Sequence, residues 1–260
     1  ILNYLEHNNL LLNMSLFPLL NDTFKLNPTT ISEKGYCMKT NALLKLQDIG
    51  YNDKIRMMVK LDINISNKKL KQFHKFKTWM YNSPKYDVII DGANIGYYNH
   101  RPDKNNDRIC FLHINNTLKS LSNKKYNVLI ILHERHFKNL TKNELNIVKN
   151  WKNNNNIYIS SSGINDDIYW LYISLYYSAY IVTNDNLKDH QFNSNKINIW
   201  KNKYIINYDI DGNNEFIFYF PKIYSKCIQK INDLLYLPFI NDNEVKWYYT
   251  KVCFKNVLIK

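Results

Sequence analysis

The sequence predicts an α/β fold, an open parallel sheet flanked by helices and joined to a smaller, discontinuous, mostly antiparallel β domain. Between Tyr86 and Trp200, short apolar runs alternate with amphipathic stretches, the pattern of βαβ units around a parallel sheet. The segments on either side carry strand-like runs and turn signals instead. With 260 residues the chain is long enough for one large domain or two modest ones, each with its own core. The expected division is 1–30 as helix or tail, 31–85 and 205–260 as the two parts of the discontinuous domain, and 86–204 as the parallel-sheet domain.

The strands of the parallel sheet are read at Asp87–Ile90, Val128–Leu132, Ile157–Ser160 and Tyr180–Thr183. A helix near Arg108–Leu121 separates the first two. Thr141-Lys-Asn-Glu144 is a capping box, a hydroxyl at the N-cap with a carboxylate three residues on, and Leu145, Val148 and Trp151 follow at helical spacing. A third helix is expected from Asp166 to Ser178 and a fourth from about Leu187. Upstream, Leu70–Met80 is helix-like. Downstream, Lys203–Tyr208, Glu215–Phe220 and Trp247–Phe254 read as strands, with Asp211-Gly212-Asn213 as a turn between the first two.

A composition of 45% hydrophobic and 22% charged residues is that of a folded protein, and a net charge of +13 favours polyanionic partners, of which nucleic acid is the commonest. Four scattered cysteines, Cys37, Cys110, Cys227 and Cys253, form no disulfide framework and no C-x-x-C pair, which fits a reducing compartment. No apolar run reaches the length of about 18 residues needed to span a membrane, so no membrane association is expected. The chain opens at Ile1 without Met, the pattern expected of the C-terminal part of something longer.

In an open parallel sheet the carboxyl ends of the strands share one edge, where ligands bind. Asp91 follows the first strand, Asp166 and Asp167 follow Ile157–Ser160 by a short Ser/Gly loop, and Asp185 follows Ile181-Val182-Thr183. Four carboxylates from three segments thus converge. Like charges so close need protons or a cation, and an oxygen-only donor set suits a hard ion, Mg²⁺ with Mn²⁺ as substitute. Such an ion activates water for phosphodiester hydrolysis. Taken singly, Asp166 reads as an N-cap and Asp185 as a helix start; their joint placement is what points to a site. His133, His136 and His190 read more readily as packed or surface residues than as ligands. Gly92 and Gly96 do not form G-x-G-x-x-G, and no Walker lysine follows.

Tyr86-Asp-Val-Ile-Ile-Asp91-Gly-Ala-Asn-Ile-Gly96, Asn165-Asp-Asp-Ile-Tyr-Trp-Leu171 and Val182-Thr-Asn-Asp185-Asn-Leu-Lys-Asp189-His190 resemble, in order and spacing, the NYN (PIN-like) metallonuclease domain of protein-only ribonuclease P. Phe76-Lys-Thr-Trp79, Val128–His133 and Phe220-Pro-Lys-Ile-Tyr-Ser225 extend the resemblance over roughly residues 33–250. It implies Mg²⁺-dependent removal of the 5′ leader of precursor tRNA, leaving a 5′-phosphate. Asp91, Asp166, Asp167 and Asp185 would be the metal-binding catalytic residues, with Asn94, Asp189 and His190 in support. Family habit implies an organelle, mitochondrion or plastid, with the nucleus as the other compartment.

Two departures stand out. The family's central-domain zinc, held by a C-x-x-C pair, a His and a distant Cys, is not expected here. Gly35-Tyr-Cys37-Met-Lys-Thr40 keeps one cysteine, and Leu235-Tyr236 and Trp247-Tyr-Tyr249 offer aromatic residues instead. The helical repeats that bind the tRNA elbow are also not visible, which implies an upstream repeat region or an accessory protein. The competing readings are a PIN/NYN nuclease acting on another RNA and a non-catalytic RNA-binding subunit; the four aspartates count against the second.

Overall fold

A computed structural model describes residues 11–63, 65–99, 108–161, 163–187, 194–212, 215–242 and 244–251. The chain divides into two compact units, Ile1–Gln47 with Lys222–Lys260, and Asp48–Pro221. The smaller unit begins with β1 (Leu12–Asn13), α1 (Phe17–Phe24) and β2 (Asn27–Thr29). The larger unit then runs α2 (Tyr51–Ile63), α3 (Asn67–Tyr81), β3 (Val88–Asp91), α4 (Gly92–Tyr97), α5 (Phe111–Asn123), β4 (Val128–His133), α6 (Lys142–Asn153), β5 (Ile157–Ser160), α7 (Asp166–Tyr177), β6 (Tyr180–Val182), α8 (Ser194–Tyr204), β7 (Ile205–Ile210) and β8 (Phe216–Tyr219). The chain returns to the smaller unit with β9 (Gln229–Ile231), β10 (Leu234–Asn241) and β11 (Glu244–Lys251).

The sheet of the larger unit has the order β5-β4-β3-β6-β7-β8, parallel as far as β7 and closed by antiparallel β8. Its central strands are apolar without a break because helices cover both faces. Ile89, Leu129, Ile131 and Ile181 join Met57, Phe76, Tyr169 and Trp200 from the helices on one side. Val88, Ile90, Ile130, Leu132 and Val182 join Ile114, Leu121, Val148 and Trp151 on the other. The capping box of α6 forms as the sequence predicts, with Thr141 and Glu144 exchanging hydrogen bonds. Arg108 adds an ion pair to Glu144 at 2.6 Å. Glycines 92 and 96 answer to packing and not to a phosphate: an added Cβ would lie 2.8 Å from the Ile131 carbonyl at Gly92, and 2.8 Å from Ile109 Cβ at Gly96.

The expected boundaries at 85/86 and 204/205 fall elsewhere. Helices α2 and α3 bury Met57, Leu61, Phe73, Phe76 and Met80 in the core that covers the parallel sheet. Strand β7 pairs in parallel with β6 and hairpins into β8, so the antiparallel pair read from the sequence exists but extends the larger sheet. The helix expected from Leu187 starts at Ser194; Leu187 itself has φ +52°, outside the helical range. The last strand is Glu244–Lys251, and 252–254 lie outside the described residues, as does Cys253.

In the smaller unit the sheet order is β1-β10-β11-β2, with β9 also on β10. Cys37 is fully buried there with Leu44, Tyr236 and Trp247. Its thiol lies 3.1 Å from the Thr29 hydroxyl, Thr40 Oγ1 and the Tyr236 hydroxyl share a hydrogen bond of 2.5 Å, and the Tyr236 and Tyr249 rings stack at 6.3 Å. Cys227 faces Gln47 Oε1 at 3.6 Å.

Phe76 anchors α3: fully buried, its ring meets Tyr169 edge-on at 4.8 Å and Tyr158 at 5.0 Å. Phe76→Ala is expected to cost about 3–5 kcal/mol in urea unfolding; a loss below about 1 kcal/mol would show that the site can collapse around the missing ring.

Candidate active site

From β3 the chain proceeds to β4 and β5 on one side, then crosses back to β6 and β7 on the other. Such a reversal opens a crevice beyond the carboxyl ends of the central strands. A cavity of about 680 Å³ lies there, and Asp91, Asp166, Asp167 and Asp185 all line it, together with Asn94 and Arg135.

Asp91 is both the last residue of β3 and the N-cap of α4, accepting the Asn94 N–H on Oδ1 at 3.1 Å. Its Oδ2 accepts the hydroxyl of fully buried Thr183 at 2.9 Å. The same Thr183 oxygen accepts the Asp185 N–H at 3.1 Å, so one hydroxyl ties the ends of β3 and β6 together. Asp185 Oδ1 accepts the Leu187 N–H at 2.7 Å and shapes a turn, not a helix start. At α7 the cap is Asn165, whose Oδ1 accepts the Asp167 N–H at 3.3 Å. Asp166 is therefore released from capping; it takes a hydrogen bond from the buried Ser160 hydroxyl. Asn165 Nδ2 donates to Asp167 Oδ2 at 3.1 Å.

Burial pushes the Asp91 carboxyl up to about 7; the Asn94 N–H and the Thr183 hydroxyl oppose the rise, and the charges of Asp167 and Asp166 add to it. Burial likewise raises Asp166, against the Ser160 hydrogen bond and the nearby His133 and Arg135, with the Asp167 charge adding to the rise. Carboxylates held this way attract a proton or a cation, and the donors are oxygen alone. No group of three or more His, Cys, Asp or Glu side chains among the described residues could hold an ion unaided. Asp189 and His190 lie outside those residues. The arrangement fits a hard ion such as Mg²⁺, which binds through one or two carboxylates and keeps several of its waters.

The profile of the family described as Protein-only RNase P matches residues 31–252. The chain belongs to the protein-only RNase P family. Proteinaceous RNase P 2 of Arabidopsis thaliana is 33% identical over 150 residues, 54% of this chain and 28% of that protein. Proteinaceous RNase P 1, chloroplastic/mitochondrial, from the same plant, is 28% identical over 216 residues, 79% of this chain and 36% of that protein. The chain thus spans about a third of the length of these relatives. A crystal structure of nuclear proteinaceous RNase P 2 from A. thaliana superposes with a TM-score of 0.76 at 22% identity, over 87% of this chain and 50% of that one. That likeness establishes the α/β fold.

Thr183, Asn184, Tyr208 and Arg135 are parts of the site that the sequence reading missed. Arg135 follows the end of β4 on the carboxyl edge, so the rule that found the aspartates also reaches it. Tyr208 lies within β7, where its alternation reads only as core, and burial with the Asp91 charge nearby raises its phenol.

The raised Asp91 makes metal-free stability pH-dependent. Its folded value of about 7 exceeds the ordinary 3.8, so its contribution is full at low pH and fades as pH rises to about 7. In EDTA, Asp91→Asn is expected to gain on the wild type with rising pH and to level off above 7, by at most about 4 kcal/mol. Thermal unfolding from pH 5 to 9 checks this, and a pH-independent difference would contradict it.

Proposed function

We propose that this chain is a metal-dependent endoribonuclease that removes the 5′ leader of precursor tRNA and leaves a 5′-phosphate. The observation that carries the proposal is the meeting of four aspartates from three segments in one cavity of a family member. Asp91, Asp166, Asp167 and Asp185 would hold Mg²⁺, with Mn²⁺ as substitute. Bound there, the ion would supply an activated water and offset charge on the attacking and leaving oxygens. Thr183 keeps Asp91 and the Asp185 turn in place, Ser160 orients Asp166, and Arg135 supplies a cation at the rim where an RNA phosphate would enter. Asp189 and His190, which lie outside the described residues, would be supporting residues by the resemblance of their sequence motif. The +13 charge favours the RNA backbone in a salt-dependent way.

A helical-repeat region or an accessory protein would supply contacts to the rest of the tRNA, since the part of each relative that this chain matches is 36% or less of that relative's length. An organelle is the proposed compartment, with the nucleus as second reading; the relatives' names include both. No helix among the described residues is long and apolar enough to cross a membrane.

With a 5′-leader precursor tRNA in Mg²⁺, the purified chain should cut once, at the mature 5′ end. EDTA should abolish the cut, and Asp167→Asn should slow it by about a thousandfold, the worth of several kcal/mol of charge stabilisation. Cleavage that survives both changes would sink the proposal.

We also propose that the smaller unit is held without zinc. Supporting this, Cys37 is engaged by Thr29, and Thr40, three residues on, bonds to Tyr236 instead of offering a second thiolate. Elemental analysis of the purified chain should find no stoichiometric zinc, and a strong chelator should leave its thermal unfolding unchanged. One zinc per chain, lost together with stability, would refute it.

A further inference from the structure

Asn94 lines the catalytic cavity from α4, and its side-chain amide has one permitted orientation. Oδ1 accepts the Asn184 backbone N–H at 2.9 Å and the Tyr208 hydroxyl at 2.5 Å. A backbone N–H only donates, so the atom facing it must be the oxygen; the flipped amide would set two donors against each other. Both lone pairs of Oδ1 are thereby used. Nδ2, with two donor hydrogens, makes no hydrogen bond among the described residues.

The clamp is itself well held. Asn184 Oδ1 accepts the Tyr208 N–H at 3.2 Å and Asn207 Nδ2 at 3.3 Å, while Asn184 Nδ2 donates to the Tyr208 carbonyl at 2.9 Å. The Tyr208 ring is buried and meets Tyr98 edge-on at 4.9 Å, and the Tyr98 hydroxyl donates to Asp209 at 2.7 Å. A helix, a strand and the turn after β6 thus fix which end of one amide faces the cavity.

We infer that Asn94 donates a hydrogen bond through Nδ2 to a non-bridging oxygen of the scissile phosphate and is not a metal ligand, with Tyr208 as the residue that positions it. The inference rests on the nuclease reading above. A phosphodiester entering a cavity lined by four carboxylates meets like charge, and further negative charge gathers on its non-bridging oxygens as water adds. A neutral donor fixed in advance lowers that barrier without competing for the cation. The oxygen end of the amide, the only part able to ligate a hard ion, faces Asn184 and Tyr208.

Three variants separate the possibilities. Asn94→Ala removes the donor, Asn94→Asp keeps the acceptor and so the clamp but removes the donor, and Tyr208→Phe keeps the amide and removes one of the two donors that hold its oxygen. Electron paramagnetic resonance of Mn²⁺ added to the metal-free chain reports ion affinity, and single-turnover cleavage of a 5′-leader precursor tRNA reports the chemical step. Asn94→Ala and Asn94→Asp should each slow cleavage about a hundredfold, and Tyr208→Phe about tenfold. Mn²⁺ affinity should stay within about twofold in Asn94→Ala and Tyr208→Phe, well short of the loss of ten- to a hundredfold typical when support for a metal is removed. Mn²⁺ binding weakened by about tenfold or more in Asn94→Ala would make Asn94 part of the ion's shell and overturn the inference, as would normal cleavage by Asn94→Asp. If the wild-type chain cleaves no precursor tRNA, the function reading fails separately. Binding of a short 5′-phosphorylated RNA to the Mn²⁺-loaded chain then decides: weaker in Asn94→Ala supports the donor, and unchanged refutes it.

Discussion

The structure depends on keeping a carboxylate at the end of the central strand, almost out of water and beside two others. Asp91 is 5% exposed, and its charge is disfavoured first by burial and then by Asp167 and Asp166. Three nearby features answer that constraint. The β3 register against β4 and β6 brings Ile90 opposite Ile130 and Val182, so Asp91 emerges where the apolar layers end. Gly92 lets α4 begin at once, close enough to β4 for the Asn94 N–H to cap the carboxylate. Thr183 supplies the second donor from β6. Burial raises the Asp91 carboxyl, and the two donors offset part of that rise.

Much of this was readable in the sequence because it follows from strand chemistry. Uninterrupted apolar runs that stop at an aspartate locate the carboxyl edge without any knowledge of pairing, and the Thr141–Glu144 capping box is local enough to be read directly. What could not be read were the long-range choices. Ile205–Ile210 has the alternation of a half-buried strand, and nothing in it says whether β6 or β10 is its neighbour. Helices α2 and α3 present ordinary amphipathic patterns, which do not tell that they share a core with Tyr169, Trp170 and Tyr172 of α7. Asp and Asn are nearly equal as N-caps, so the sequence alone does not separate Asn165 from Asp166 at the start of α7. Asn165 took the position, which leaves the Asp166 carboxylate for the cavity.

The smaller unit meets a different demand. Its segment from Ile31 to Leu44 forms only isolated bridges, Ile31 with Cys37 and Tyr36 with Leu43. Backbone pairing alone does not secure such a loop. Side chains compensate: Cys37, Leu44, Tyr236 and Trp247 close over one another, and the Thr40–Tyr236 hydrogen bond ties the loop to β10. The hydroxyl pair and the stacked Tyr236 and Tyr249 rings hold the loop through side chains alone. Their cohesion grows with the apolar area they cover, which explains why large aromatic residues occupy β10 and β11 here.

The cavity at the carboxyl edge of the sheet combines two opposed kinds of group, and their separation follows from hydrogen-bond inventory. Four carboxylates can only accept when ionised, so their chemistry suits a cation and repels a phosphate. Arg135 and the amide nitrogen of Asn94 can only donate, so their chemistry suits an anion such as a phosphate. An unconstrained amide could play either part, and in a carboxylate-rich cavity a nearby ion would draw its oxygen inward. The Asn184 N–H and the Tyr208 hydroxyl remove that freedom before any ligand arrives, by engaging the oxygen from behind. The cost of orienting the amide is therefore met during folding, through contacts among α4, β7 and the turn after β6. Preorganisation of this kind gives a neutral group electrostatic value in a cavity already rich in charge.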